Sequence, residues 1–154
     1  MLSILADLGE FIGGVAVIIT IVYFAVQLNA NLKANRAQAL STWTMAAQAE
    51  KEVLYRDPNF SRLYREILFE NKSPEGDEKI QFYAYCIQFM NTWQLAFTQE
   101  KLGITSSHFL ERVSVGYISF ASNPHVQRWW LNSGAQMYDQ EFVNYVNAKT
   151  NAGV

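Results

Sequence analysis

The stretch FIGGVAVIITIVYFAVQL, residues 11–28, decides how this sequence is organised. It is an almost unbroken apolar run near the N-terminus, and a much more polar chain follows it. At about 1.5 Å rise per residue, a helix over this run is about 27 Å long, close to the roughly 30 Å hydrocarbon thickness of a bilayer. The sequence therefore predicts an N-terminal transmembrane helix over residues 1–28.

A cleaved signal peptide is the alternative for this N-terminal run. No lysine or arginine precedes the run, and Asp7 and Glu10 make its leading flank acidic. The run is also longer than the about 7–15 residues of a usual signal-peptide core. We therefore expect the segment to be retained as a membrane anchor.

The charges that flank the run predict its orientation. Lys33 and Arg36 follow it closely, and no acidic residue appears after it until Glu50. Basic residues next to a span favour the cytoplasmic side of the membrane. The N-terminus is therefore expected outside, and the C-terminal domain in the cytoplasm.

One side of the predicted span carries small and polar residues at alternating spacings of four and three, which place them on one helix face. This face consists of Gly9, Gly13, Ala16, Thr20, Tyr23 and Gln27. Helices in lipid associate through close backbone approach and side-chain hydrogen bonds, which Gly9-x-x-x-Gly13 and Thr20 offer. The pattern favours a homo-oligomer or a partner helix, although glycine is common in membrane helices without such a role.

Two acidic residues, Asp7 and Glu10, lie at the outer edge of the run. At this depth a carboxylate reaches water or the lipid headgroups, and it also suits the positive end of the helix dipole. The alternative is an oligomeric ion channel or pore around the N-terminal helix. Such a pore would be lined by Glu10, Val17, Thr20 and Phe24 or Gln27.

Residues 29–56 contain neither glycine nor proline and are rich in good helix formers, so the helix is expected to continue unbroken. Apolar residues recur here near a seven-residue period, which gives this helical extension one apolar stripe. The stripe consists of Leu28, Leu32, Leu40, Trp43, Ala47 and Leu54.

Residues 57–154 are predicted to form a cytoplasmic helical bundle of about four to five further helices, so the predicted fold class is all-α. Asp57-Pro58, Gly103, Asn123-Pro124 and Gly134 mark its breaks. Helices are expected over 58–70, 74–102, about 105–123 and 124–131, with a last one capped by Asp139. Ser73-Pro74-Glu75 is expected to cap the second of these, which is apolar on more than one face and therefore central.

Chemical signatures are sparse in this sequence. The net charge of −2 gives no basic face for nucleic acid, and the one cysteine, Cys86, is expected to be a small buried apolar residue. His108 and His125 lack the spacing of a metal site, and no P-loop, GxGxxG or GxSxG motif occurs. We therefore predict no catalytic residue, no metal and no cofactor, and a non-enzymatic protein.

The sequence Arg128-Trp129-Trp130 leaves two interpretations open. Indole rings favour the membrane interface, and a cation beside them suits headgroups or a partner. Consecutive helix positions point about 100° apart, so one ring can pack in the core while the other meets a membrane or a neighbour. Core packing is the other interpretation.

The opening LGEFIGGVAVIITIVYFAVQL and the later SNPHVQRWW resemble a family of short, uncharacterised bacterial single-pass membrane proteins. Its members begin with LGE-x-x-GG-x-A-V-x-x-T-x-x-Y-x-A-x-Q and carry P-x-x-x-x-WW near the C-terminus. The resemblance implies a shared architecture and a bacterial inner-membrane location, but it implies no activity.

These patterns predict an inner-membrane protein that forms a homo-oligomer or serves as an accessory or scaffold subunit of a membrane complex, in contact with membrane lipid. An oligomeric channel is the alternative. A lipid-binding module or an enzyme with an aromatic pocket is a further, weaker alternative.

Overall fold

A computed structural model describes residues 2–150, with side chains from residue 9 onward. The chain divides into two compact units, the first ending at Gln38 and the second beginning at Ala39. No strand occurs within residues 2–150, which confirms the all-α class. The α-helices are α1 (Leu2–Arg56), α2 (Pro58–Phe69), α3 (Gly76–Lys101), α4 (Ser107–Ala121), α5 (Pro124–Asn132) and α6 (Gln140–Thr150), and a 3₁₀ helix (Gly134–Met137) follows α5.

The first unit consists of the N-terminal part of α1. One helix within the described residues is long and apolar enough to cross a membrane, and it is α1, where an 18-residue window has a mean hydropathy of 2.3. None of that window is buried. The predicted continuation through residues 29–56 is confirmed, because α1 runs without a break to Arg56.

The second unit begins inside the segment that the sequence assigns to a helical extension. Ala39 and Glu50 are buried, and Trp43 and Leu54 are partly buried against the core. Gln99 Nε2 donates a hydrogen bond of 3.2 Å to the carbonyl oxygen of Ala39. The C-terminal part of α1 is therefore the first helix of the bundle, and five further α-helices follow it, as predicted.

Helix α3 lies at the centre of this bundle, which confirms the prediction from its apolar faces. It packs against α2 and α4, and α4 in turn packs against α5 and α6. Residues from several faces of α3 are buried, namely Phe82, Tyr85, Cys86, Met90, Thr92, Trp93, Ala96, Phe97 and Gln99. Cys86 is among them, as expected for a small apolar side chain, and burial raises the pKa of its thiol.

Three side chains cap helix starts, and the predicted cap Asp139 is one of them. The Asp57 carboxylate accepts hydrogen bonds from the backbone N–H groups of Asn59 and Phe60 at 2.9 and 3.2 Å. Ser106 Oγ and Asp139 Oδ1 likewise accept hydrogen bonds from backbone N–H groups at the starts of α4 and α6, with N···O distances of 3.2 and 2.9 Å. These side chains satisfy N–H groups that have no partner within the helix.

The predicted cap at Ser73-Pro74-Glu75 is wrong. Helix α3 begins at Gly76, and its N-cap residue Glu75 makes no side-chain hydrogen bond to the helix. Asn71 instead ends α2 in the left-handed conformation, with φ of 57°. The Lys72 ammonium then bridges Glu66 and Glu78 at 2.9 and 3.1 Å, so ion pairs connect α2 to α3.

Candidate functional site

The predicted association face of α1 keeps its polar groups bonded within the helix. Thr20 Oγ1 donates a hydrogen bond of 2.8 Å to the carbonyl oxygen of Ala16. Gln27 Nε2 donates one of 2.5 Å to the hydroxyl of Tyr23, one turn earlier. A helix in hydrocarbon must satisfy its polar groups internally or against a partner, and these two bonds satisfy the Thr20 hydroxyl and one N–H of the Gln27 amide within the helix.

The glycines of the same face are open. Among the residues whose side chains are described, a Cβ atom added at Gly9 or Gly13 would meet no atom within 4 Å, and the same holds for Gly14 on a neighbouring face. The backbone at Gly9 and Gly13 is therefore accessible for the close helix contact that the sequence predicts. Glu10 is exposed, whereas the side chain of Asp7 lies outside the described side chains.

The structure corrects the suggested membrane or partner contact of Trp129 and Trp130. Their exposed fractions are 1 % and 2 %, so core packing applies to both rings. Trp130 Nε1 donates a hydrogen bond of 2.9 Å to Asn147 Oδ1 in α6. A Cβ atom at Gly134 would lie 2.9 Å from the Trp129 ring, so the backbone after α5 packs directly against this indole. Only Arg128 of the three is exposed.

The two histidines have different surroundings. His108 is exposed, near the start of α4. His125 is buried, and its Nε2 lies 3.0 Å from Asn71 Oδ1, so it connects α5 to the end of α2. Among the described residues, no group of three or more histidine, cysteine, aspartate and glutamate side chains is placed to hold a metal ion.

The sequence did not single out Glu50 as a site residue, yet its carboxyl group is the most unusual polar group of the bundle. Glu50 is 3 % exposed. Tyr117 of α4 lies with its hydroxyl 3.5 Å from Oε2, at the limit of a hydrogen bond. The Thr92 hydroxyl of α3 is also near the carboxyl group, but it donates its hydrogen bond of 3.2 Å to the carbonyl oxygen of Gln88. Oε1 is buried and has no hydrogen-bond partner.

Burial changes the acidity of this carboxyl group. Loss of hydration raises the pKa of Glu50 from 4.5 to about 7, and the nearby hydroxyls of Thr92 and Tyr117 offset only part of that effect. Burial and the nearby Glu50 in turn raise the pKa of the Tyr117 hydroxyl, which stays protonated. The site therefore holds one group that changes charge near neutral pH.

A recess of about 190 Å³ lies beside Glu50, between α1, α3 and α4. Its lining combines aromatic, small and charged residues, namely Trp43, Ala47, Glu50, Lys51, Phe89, Val113, Gly116 and Tyr117. Trp43 contributes a second unpartnered polar atom, because its Nε1 is buried and donates to nothing. The Trp43 ring meets Phe109 edge to face, with ring centroids 5.3 Å apart.

Two residues that line the recess thus each have a buried polar atom without a hydrogen-bond partner, the acceptor Glu50 Oε1 and the donor Trp43 Nε1. Buried polar groups in folded proteins are nearly always hydrogen-bonded to protein, water or ligand. No family model, no curated protein and no solved structure matches this chain.

Proposed function

We propose that this chain is a non-enzymatic single-pass protein of the bacterial inner membrane, and that it forms a homo-oligomer or serves as an accessory or scaffold subunit of a membrane complex. The N-terminal part of α1 crosses the bilayer in this proposal. The helical bundle lies on the cytoplasmic side, as Lys33 and Arg36 favour.

The exposed apolar surface of α1 carries the proposal. Twelve large apolar residues between positions 11 and 28 are each at least 40 % exposed. They are Phe11, Ile12, Val15, Val17, Ile18, Ile19, Ile21, Val22, Tyr23, Phe24, Val26 and Leu28. Monomers in water rarely expose contiguous apolar patches larger than a few hundred Å², so lipid or another helix must cover this one.

The free energy gained by removing these side chains from water is large. At about 2 kcal/mol for each large apolar side chain removed from water, twelve of them are worth on the order of 20 kcal/mol. This exceeds the roughly 5–15 kcal/mol that stabilises a whole domain. The helix-internal bonds of Thr20 and Gln27 keep the polar cost of entering lipid low.

Self-association through the glycine face is the first testable part of the proposal. We expect the wild-type chain in detergent micelles to have a mass above that of a monomer, and Gly13→Leu to weaken the oligomer at least about tenfold, since it blocks close backbone approach. A Cβ atom at position 13 meets no atom of the described residues within 4 Å, and the bundle begins only at Ala39, so the bundle should stay folded. Sedimentation equilibrium in a density-matched detergent measures both masses.

Gly14→Leu is the matched control, because it makes the same chemical change about 100° around the helix. It should leave the oligomer intact. A wild-type monomer, or equal masses for both variants and the wild type, would contradict self-association through Gly9 and Gly13. Ion flux in proteoliposomes of the wild type would favour the channel instead.

A further inference from the structure

We propose that the bundle pairs with a second copy of this chain through the exposed side of α3, so that two α3 helices lie side by side and parallel. This inference rests on the homo-oligomer of the proposed function and names the surface of the bundle that takes part in it. All of its contacts lie in the second unit, so variants there can be tested apart from the glycine face of α1.

The exposed side of α3 carries no charge over most of its length. Every residue from Ile80 to Gln99 is uncharged, and charged side chains occur only at the two ends of the helix. The outward face repeats after eleven residues, in steps of four, three and four, which keeps it on one side of a nearly straight helix. It consists of Ile80, Ala84, Ile87, Asn91, Leu95 and Thr98, none of them buried, and the exposed Leu102 continues it. Interface cores are similarly depleted of charged residues.

A groove of about 400 Å³ runs along this face, between α3 and the part of α1 that belongs to the bundle. Its α1 wall consists of Ala46 and Ala49, and its α3 wall includes four residues of the outward face. A second recess, of about 270 Å³, shares Ala84 and Gln88 with it, so the groove continues toward the start of α3. Small side chains let a neighbouring helix approach closely, so the groove suits a helix.

Charge complementarity selects a second copy as the occupant. An uncharged groove favours an uncharged helix face, because a charge buried in it would lose its hydration without gaining a partner. From α2 to α6, the described residues leave an uncharged exposed face only on α3. The other four helices expose charged side chains, for example Arg65, Glu111, Arg128 and Lys149. The chain therefore provides the matching surface on α3 itself.

Asn91 favours a parallel pair in one register. Its Oδ1 accepts a hydrogen bond of 3.1 Å from the Tyr138 hydroxyl, whereas no acceptor among the described residues bonds its Nδ2. In a parallel pair each residue of the outward face meets its own copy, so Nδ2 of one Asn91 can donate to Oδ1 of the other. A single asparagine in an apolar seam specifies register and oligomeric state in parallel coiled coils.

The area of this surface suits two chains held in one membrane. Face on, α3 and the neighbouring part of α1 cover roughly 30 Å by 20 Å, or about 600 Å² for each copy. A stable interface between freely diffusing proteins buries about 800 Å² for each partner. Anchoring in one membrane raises the effective concentration of the two bundles, so a smaller area is sufficient.

Cysteine cross-linking of the full-length protein in its membranes tests the pairing. Each variant keeps one cysteine, with Cys86 replaced by serine. Ala84→Cys and Thr98→Cys lie about four turns apart on the outward face, and a parallel pair brings each next to its own copy. We expect mild oxidation to give a covalent dimer with either variant, at least about tenfold more than with Val115→Cys, whose position on α4 is 69 % exposed.

Ala84→Glu tests the same surface with Cys86 in place. Two carboxylates that face each other across the pair repel, so we expect the oligomer in micelles to weaken at least about tenfold in sedimentation equilibrium. Ala84 is exposed and glutamate is a good helix former, so the bundle should stay folded. Val115→Glu is the matched control, since it adds the same charge on α4, and it should leave the mass unchanged.

Three results would each overturn the pairing. They are no covalent dimer above the Val115→Cys level, cross-linking only in a mixture of Ala84→Cys and Thr98→Cys chains, and an unchanged mass for Ala84→Glu. Cross-linking of Ala84→Cys to a different protein would overturn it too. A lower mass for Gly13→Leu would then still support the homo-oligomer of the proposed function. Cross-linking at both cysteines with an unchanged mass for Gly13→Leu would uphold the α3 pair and contradict the glycine face alone.

Discussion

The double substitution Ile19→Arg and Val22→Arg is expected to abolish integration of the protein into the membrane. Both side chains are exposed, at 63 % and 57 %, near the middle of the apolar run. They lie on the side of the helix opposite Gly9 and Gly13. An arginine at the centre of an inserted helix costs about 2.5–3.5 kcal/mol on the insertion scale, so two cost roughly 6 kcal/mol. On that same scale twelve apolar residues, at about 0.3–0.6 kcal/mol each, favour insertion by only about 5 kcal/mol. We expect extraction of the variant from membranes by alkaline carbonate, which the wild type should resist.

The control is a chain with arginine at Met45 and Tyr55, two exposed positions of α1 beyond the apolar run. It gains the same charge in the same helix, but outside the predicted span, and should resist carbonate like the wild type. Firm retention of the Ile19 and Val22 variant in the membrane pellet would show that residues 11–28 do not cross the hydrocarbon region.

The second large effect is a loss of bundle stability as the pH rises from 4.5 to 7. Since burial raises the pKa of Glu50 to about 7, the folded state keeps a proton that the unfolded chain releases near pH 4.5. The stabilisation is therefore complete below pH 4.5 and is lost as the pH rises. At about 1.4 kcal/mol per pH unit, the free energy of unfolding should fall by about 3 kcal/mol.

Urea unfolding of the full-length protein in micelles, followed by near-ultraviolet circular dichroism, measures this change. Glu50→Gln removes the titrating group, so its free energy of unfolding should approach the wild-type value at pH 4.5 and exceed it by about 3 kcal/mol at pH 8. Glu52→Gln, on the surface, should follow the wild type. Parallel curves for Glu50→Gln and the wild type would exclude Glu50 as the source of the pH dependence.

Local signals predicted most of the helix boundaries, because single side chains or backbone conformations determine them. Asp139 accepts a backbone N–H bond at the start of α6, as predicted. Asp57, at the predicted Asp57-Pro58 break, and Ser106, close to the predicted helix start at 105, accept such bonds too. Gly103 ends α3 with φ of 67°, a conformation that glycine adopts without strain. Ser73-Pro74-Glu75 has an equally good local pattern, but the Lys72 ion pairs and the left-handed Asn71 determine that connection instead.

Contacts with other elements determine whether Trp129 and Trp130 are buried, which the sequence left open. The sequence could not decide between core and surface for Trp129 and Trp130, because α6 and the turn at Gly134 together enclose both rings. Both contacts come from residues further along the chain, so the spacing within α5 carries no sign of them. A short amphipathic helix can be buried on more than one face when later elements fold over it.

The recess beside Glu50 has a signal in the sequence, because an acid stands within the apolar stripe of α1. Positions 43, 47, 50 and 54 follow the spacing of four, three and four that defines the apolar stripe of α1, and an acid occupies the third of them. An acid on a core-facing stripe is expected to have a raised pKa or a bound partner. Its contacts with Thr92 and Tyr117 come from α3 and α4, and no local pattern predicts these.

The central claim is that α1 crosses the bilayer with the bundle on the cytoplasmic side. Two single-cysteine chains test it most directly, one with Ser3→Cys and one with Ser122→Cys, both with the buried Cys86 replaced by serine. A membrane-impermeant maleimide is added to intact spheroplasts and, separately, to lysed ones. The account predicts labelling at position 3 in intact spheroplasts and at position 122 only after lysis. Labelling of both positions from the same side of the membrane would contradict it.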